Sequence, residues 1–182
     1  DGVLTVNAAA ATGTVRGDSA TGDVTINGAA ATVLTANSTS GDITVTGAAN
    51  ANVDAVSTAA GNITVTTALA DDVVATTTGA GTVTATGEGD TAMTVTARTS
   101  TVTLSANDTV NDATVTATGT GAGVEADTLN VTSGDDFTIA NQAADVVETI
   151  NVTGTAAIDA TITTSTATTY TGDSNVTFLG DH

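Results

Sequence analysis

Short runs in which threonine alternates with an apolar residue return along the chain at nearly constant intervals. In a strand every second side chain points to the same face, so each run predicts one buried face and one wet face. Successive runs begin 19 or 20 residues apart. The clearest are 24–26, 43–45, 63–65, 83–85 and, more loosely, 102–104, and 4–6 opens the series one step upstream.

A second series of apolar residues runs between the first, so each repeat unit holds two short strands. Ala, Asn, Gly, Ser and Thr separate the strands and favour corners over helices. The members at steps of 20 are Val33, Val53, Val73, Met93 and Ala113, and two residues after each come Thr35, Ala55, Ala75, Val95 and Val115.

A strand that returns at the same phase stacks on its predecessor, parallel and in register, at about 4.8 Å per coil. The sequence therefore predicts an all-β fold, a parallel β-solenoid (β-helix) with coils of about 20 residues and two short strands per coil. Two interior columns follow from the spacing. We expect Val24, Ile43, Ile63 and Val83 to form one column and Val33, Val53, Val73 and Met93 the other.

The repeat changes after residue 118. The stretch 119–127 is rich in glycine, and beyond it the period is 21 residues, which pairs 128–132 with 149–153 and 137–139 with 158–160. A last strand is expected at 176–178. We predict one solenoid made of 1–118, a break at 119–127 and a continuation at 128–182, with two subdomains as the alternative. The ends suggest part of a longer chain.

Two other classes of structure compete with the solenoid. An antiparallel sandwich of the immunoglobulin type also has short alternating strands, but it needs hairpin turns every 8 to 12 residues and seldom repeats one motif five times. Disorder in acidic chains goes with low hydropathy, whereas hydrophobic residues make up 40% of this chain and its mean hydropathy is +0.22. An aromatic content of 2% suits a core one side-chain layer thick.

Charge narrows the function classes. Twenty acidic residues against two arginines and no lysine give a net charge of -18, which disfavours nucleic acid and anionic membrane surfaces as partners. No apolar run approaches the ~18 residues of a spanning helix, so membrane insertion is not expected. The single histidine is His182, and cysteine is absent, so we predict no enzyme activity. Arg16 and Arg98 are expected in surface ion pairs.

Calcium is the cofactor that the acidic, glycine-rich corners favour, because it takes six to eight oxygen ligands. Stacked Asp23 and Asp42 would repel by roughly 3 kcal/mol at ~5 Å and an effective dielectric near 20, before screening, and a cation between them would reverse the sign. The alternative is that the acids are solvated turn residues that keep the surface soluble. The predicted metal ligands are Asp127, Asp135, Asp136, Asp23, Asp42 and Asp90.

Three phrases resemble known bacterial surface proteins. VETINVTG at 147–154 and ADTLNVTSG at 126–134 resemble the surface-layer (S-layer) and RTX-type secreted proteins of Gram-negative bacteria, and SGDITV at 40–45 resembles adhesin repeats. The resemblance implies a secreted, calcium-dependent surface protein exported by a type I system. The tandem glycine-rich calcium nonapeptide of RTX proteins is absent, and 121–129 is one degenerate copy.

We therefore expect a structural component of a bacterial cell-surface layer or extracellular matrix. It would be a calcium-stabilised rod whose main partner is itself, in a lattice or filament, with cell-surface polysaccharide as a further partner. The alternatives are an adhesin stalk or ligand-binding repeat region, and a passenger segment of an RTX toxin. A lattice former should assemble when calcium is added, whereas an adhesin should stay monomeric and bind glycan or protein.

Overall fold

A computed structural model describes most of the chain, with the gaps falling mainly between strands. The described residues are 2–28, 33–47, 52–67, 72–78, 81–88, 92–97, 99–105, 113–118, 126–133, 137–141, 147–154, 159–162, 167–171 and 175–178.

Within these residues the structure consists of strands, turns and bends, with no helix. The strands are short, from four to eight residues, as the alternating runs predict. They are β1 Leu4–Asn7, β2 Thr14–Ser19, β3 Val24–Gly28, β4 Val33–Ser38, β5 Ile43–Gly47, β6 Asn52–Ser57, β7 Ile63–Thr66, β8 Asp72–Thr77, β9 Thr82–Glu88, β10 Ala92–Thr96, β11 Thr99–Ser105, β12 Ala113–Thr118, β13 Ala126–Ser133, β14 Phe137–Asn141, β15 Val147–Gly154, β16 Asp159–Ile162, β17 Ala167–Thr171 and β18 Asn175–Phe178.

The odd-numbered strands form one sheet and the even-numbered strands form another. We call the first, running in order from β1 to β17, sheet A, and the second, from β2 to β18, sheet B. Each strand pairs in parallel with the strand two places along the chain, such as β3 with β5 and β4 with β6. Stacked parallel coils of two strands are a β-solenoid, so the predicted fold is confirmed.

The core lies between the two sheets and is built from columns of like side chains. In sheet A, Val24, Ile43, Ile63 and Val83 pair in register and are at most 1% exposed, which confirms that column. Full burial of an isoleucine or valine side chain contributes about 1.5–3 kcal/mol, so every coil with such a residue gains stability from this column. Their interior neighbours in sheet A are Ile26, Val45, Val65 and Ala85, and sheet B contributes Leu34, Val53, Val73, Ala36, Ala55 and Ala75.

The predicted column in sheet B is wrong at Val33. Leu34 pairs with Val53 and is fully buried, whereas Val33 pairs with Asn52 and is only half-buried. The spacing from Leu34 to Val53 is 19 residues, not 20, because the corner after β4 is one residue shorter than the corner after β6. For the same reason Ala36, and not Thr35, aligns with Ala55.

At other corners that change length, the predicted pairing is wrong by two residues. Met93 pairs with Val115, so Val115, and not the predicted Ala113, continues the column of Val53, Val73 and Met93. Val102 pairs with Ala85 instead of Val83, after a shortened corner between β10 and β11. Phe137 pairs with Ala160, so the predicted pairing of 137–139 with 158–160 is also two residues out. A shift of two residues keeps every side chain on its predicted face, so only the pairing was wrong at these strands and not the assignment of inside and outside.

Three other predicted alignments are confirmed. Leu4 pairs with Val24, so the series does open at 4–6. Residues 128–132 pair with 149–153, and Asn175–Phe178 is the last strand of sheet B. The predicted break at 119–127 falls on residues outside the described part of the chain, except that Ala126 and Asp127 open β13.

The first four corners from sheet B to sheet A, after β2, β4, β6 and β8, stack on one another through glycine. A Cβ on Gly41 would lie 2.3 Å from the carbonyl oxygen of Gly22, and one on Gly61 would lie 2.0 Å from that of Gly41. Real Cβ atoms do not approach a backbone oxygen so closely. The glycine column, which includes Gly81, is therefore what allows the backbones of successive corners to touch.

A buried column of hydroxyls accompanies the glycines. The Ser38 hydroxyl accepts the Gly41 N–H at 2.8 Å and donates to the carbonyl oxygen of Gly22 at 3.1 Å, which joins two coils. Ser57 accepts the N–H of Gly61 at 3.1 Å. The next member of the column, Thr77, is buried and its hydroxyl has no hydrogen-bond partner.

Candidate functional site

Asp23 and Asp42, two of the predicted metal ligands, follow the glycines and are stacked as expected. The carboxylate of Asp23 accepts the backbone N–H of Asp42 at 2.9 Å. The carboxylate of Asp42 in turn accepts the backbone N–H of Asn62 at 2.8 Å, and its side-chain N–H at 3.3 Å. The column continues with Asn62, whose side-chain oxygen accepts the backbone N–H of Thr82 at 3.1 Å. We call these four residues the corner ladder.

The corner ladder gives the two acids a structural role that the spacing alone did not predict. Each carboxylate takes a backbone N–H from the coil above, and hydrogen bonds to a charged acceptor are stronger than neutral ones. This attraction opposes the repulsion between the two like charges. Because the uncharged amide oxygen of Asn62 accepts an N–H at the same position, the ladder needs a side-chain oxygen and not a negative charge.

The remaining predicted ligands do not join this corner in the described structure. Asp127 is the second residue of β13, many coils away from Asp23 and Asp42 along sheet A. Asp90, Asp135 and Asp136 lie outside the described residues. Among the residues that the structure does describe, no three acidic or histidine side chains lie close enough together to hold a metal ion. Calcium binding stays a prediction.

Arg16 forms the ion pair expected of it. The Arg16 guanidinium donates to the carboxylate of Asp18 at 2.6 Å, and the side chains of Arg16 and Asp18 are both exposed. Arg98 falls outside the described residues. The Asn37 amide also donates to Asp18, at 2.7 Å. These bonds, that of Arg16 first, hold the pKa of Asp18 below its ordinary value, and Asp18 in turn raises the pKa of Arg16.

The outer face of sheet B is chemically mixed. Along its first coils Arg16, Thr35, Asp54 and Val74 occupy one register position. The position beside it holds Thr14, Val33 and Asn52. A groove of about 410 Å³ opens here. Its lining residues are Val33, Asn52, Val53, Asp54, Asp72 and Val74.

The outer face of sheet A is uniform by comparison. Two register positions, two residues apart on each strand, hold threonine or asparagine in all nine strands. We call these positions the threonine face. Its first file is Thr5, Thr25, Thr44, Thr64, Thr84, Thr101, Asn130, Asn151 and Thr169, and its second file is Asn7, Asn27, Thr46, Thr66, Thr86, Thr103, Thr132, Thr153 and Thr171.

Asparagine amides link coils at both ends of the threonine face. Asn27 donates to the side-chain oxygen of Asn7 at 2.8 Å, and Asn151 donates to that of Asn130 at 2.9 Å. Between them, in the described strands, no hydrogen bond ties the hydroxyls of Thr44, Thr64 or Thr84 to another protein group. Thr44 and Thr64 are exposed, so their hydroxyls and methyls face solvent.

Comparison of the chain with protein-family models, curated proteins and solved structures finds no match. No helix in the described residues is long and apolar enough to cross a membrane. Function therefore has to be argued from the surfaces and ladders of this chain itself.

The functional residues that the sequence did not predict are the uncharged members of the corner ladder, Asn62 and Thr82, and the buried serines beside it. Asn62 and Thr82 follow Gly61 and Gly81 as Asp23 and Asp42 follow Gly22 and Gly41. The position after the glycine is constant in the repeat, whereas charge distinguishes only the two acids. The buried serines left the same kind of signal, three or four residues before each glycine.

Proposed function

We propose that this chain is a structural segment of a bacterial cell-surface layer or extracellular matrix, a stiff solenoid rod that assembles with copies of itself. The observation that carries the proposal is the unbroken parallel pairing of both sheets, from β1 to β17 and from β2 to β18. A stack in which every coil is bonded to its neighbours resists bending, and its long faces suit repeated lateral contacts.

Three ladders support a mechanical role. The glycine backbones, the buried hydroxyl of Ser38 and the corner ladder all join adjacent coils at the same edge of the solenoid. Ser38 and the corner ladder add hydrogen bonds between coils to the strand pairing, at a corner where loops usually give proteases access. We expect the folded chain to resist proteolysis.

Net charge and sequence resemblance support an extracellular location. Net charge of -18 on small side chains keeps a long rod soluble, and the resemblance of 126–134 and 147–154 to S-layer and RTX-type repeats favours export. The same charge opposes close approach of two copies within a Debye length, about 8 Å at physiological salt. Assembly should therefore require a divalent cation, with calcium as the candidate.

The test compares calcium with sodium chloride at matched ionic strength on the purified chain. Millimolar calcium, the range of extracellular sites, should raise the melting temperature and produce ordered sheets or filaments in electron micrographs. Sodium chloride should do much less. If chelation changes neither stability nor assembly, calcium is not the cofactor.

A pair of charge-matched variants locates the calcium effect. Asp135→Asn with Asp136→Asn should weaken the calcium response, while Asp54→Asn with Asp72→Asn, on the outer face of sheet B, should leave it intact. Equal loss in both variants would mean that calcium acts only by lowering net charge. A chain that stays monomeric in calcium and binds glycan would favour the adhesin alternative over a lattice.

A further inference from the structure

The threonine face is more uniform than the outer face of sheet B. Threonine suits any solvated strand, so β propensity should enrich both outer faces. From β10 onward the equivalent positions of sheet B do mostly hold threonine, such as Thr94 and Thr116, but in the earlier strands they hold Arg16, Asp54 and Val74. The threonine face differs in keeping threonine or asparagine at both positions in all nine strands.

The threonine face also lacks charge in a strongly acidic chain. Both of its files contain only threonine and asparagine, and acids lie at its borders, Asp23 and Asp42 in the corner ladder and Glu88 two residues beyond the second file. A binding partner for this face should therefore be uncharged. It should also be rich in hydrogen-bonding groups, since each position offers a hydroxyl or an amide beside an apolar methyl or methylene.

The register makes these groups a two-dimensional net. Neighbouring strands lie about 4.8 Å apart, and residues two apart on one strand are separated by about 6.6 Å. Oxygen atoms on the prism faces of hexagonal ice form a rectangular net of similar dimensions. Hydroxyls held in such a net can each bond a water molecule at an ice-like position, while the methyls between them order the water that they exclude.

The size and polarity of the face argue against a second copy as the partner. Nine strands give a length of about 38 Å, and two files of side chains cover on the order of 500 Å², below the about 800 Å² that each partner buries in a standard interface. The face also has no apolar centre of the kind that stable interfaces use. Aromatic residues, which stack on sugar rings, are absent from its two files.

We propose that the threonine face binds ice. The uncharged files would hold ordered water that merges with a growing ice surface, and the acidic remainder of the molecule would stay in liquid water. The proposal goes beyond the structural role above and does not depend on calcium or on assembly, because it concerns one face of a single molecule.

The first measurement uses the unmodified chain, with a chelator present to keep it monomeric. A solution is frozen slowly from one surface, and the protein that enters the ice is compared with the protein left in the liquid. Ice affinity predicts enrichment in the ice, shaped crystals and a gap between melting and freezing points. If the chain is excluded from ice like an ordinary solute, the proposal is wrong.

Two variants with the same charge change identify the face. Thr64→Lys places a long cation in the middle of the first file, whereas Val74→Lys places one on the outer face of sheet B, where Val74 is already 37% exposed. We expect Thr64→Lys to reduce ice uptake several-fold and Val74→Lys to leave it unchanged. Circular dichroism and melting curves establish that both variants are folded, and Thr66→Lys replaces the first variant if it is not.

The other outcomes decide against the proposal. Equal loss in the two lysine variants would show that ice uptake does not use the threonine face. Concentration-dependent dimers that Thr64→Lys abolishes, in a chain without ice affinity, would make the face a contact between copies. Failure of ice binding would leave the structural proposal intact, since that is tested by calcium-dependent assembly.

Discussion

The two sheets of this solenoid face the same core but present different surfaces to solvent. Inside, both are built from columns of Val, Ile, Leu and Ala that pair coil by coil. Outside, sheet A repeats threonine and asparagine, whereas sheet B mixes Asp54 and Val74 in one column. Packing of the core constrains only the inward positions, so it does not account for the outward regularity of sheet A.

The largest expected effect tests whether the buried columns of the two sheets contribute equally to stability. Ile63→Asp in sheet A and Val73→Asp in sheet B each bury an unpaired carboxylate, which should cost about 4 kcal/mol or more and unfold neighbouring coils. Thr64→Asp, on the exposed side of the same strand as Ile63, should change stability by less than about 1 kcal/mol. Chemical denaturation measures all three. Equal tolerance of Ile63→Asp and Thr64→Asp would refute the register.

A smaller effect distinguishes Gly41, in a corner, from Gly47, at the end of strand β5. Gly41→Ala puts a Cβ 2.3 Å from the carbonyl oxygen of Gly22, whereas Gly47→Ala meets only methyl groups of Leu34 and Thr67, at 3.3 Å. Backbone cannot yield as side chains do, so Gly41→Ala should cost about 1–3 kcal/mol and Gly47→Ala much less. Thermal melting in the same buffer gives the comparison. Similar melting temperatures would mean that the glycine column is not required for stacking.

The smallest effect concerns the acidic edge between the sheets. Asp42→Asn keeps the oxygen that accepts the Asn62 N–H and removes the like charge facing Asp23, so stability should rise by up to about 1 kcal/mol. Asp42→Ala, which also removes the oxygen, should instead destabilise. The difference should shrink as salt is added, since both acids are exposed. A marked loss of stability in Asp42→Asn would point to a bound cation.

The repeat predicted most of the fold because periodicity carries two kinds of information. Alternation within a run assigns each residue to the inside or the outside, and recurrence of runs assigns each strand to a column. Both worked where corners kept their length, as for Val24, Ile43, Ile63 and Val83. Where corners shorten, a constant period predicts the wrong residue: Val33 in place of its neighbour Leu34, and Val83 in place of Ala85 as the partner of Val102.

The candidate sites were harder to predict, because their geometry depends on how corners stack. The sequence brought Asp23 and Asp42 together correctly but suggested repulsion relieved by a cation, whereas the structure pairs each carboxylate with a backbone N–H of the next coil. The threonine face was visible as alternating threonine. Its uniformity across nine strands became evident only when the register of both sheets was known.

By itself, then, the sequence determined the strands, their alternation and their parallel stacking, because these depend on short-range periodicity and on burial of every second residue. Only the tertiary structure decided which residue of an apolar pair enters the core and which oxygen meets which N–H. Those choices depend on corner lengths and on close approaches of backbone, such as that of Gly41 to Gly22, which exist only once one coil lies on another.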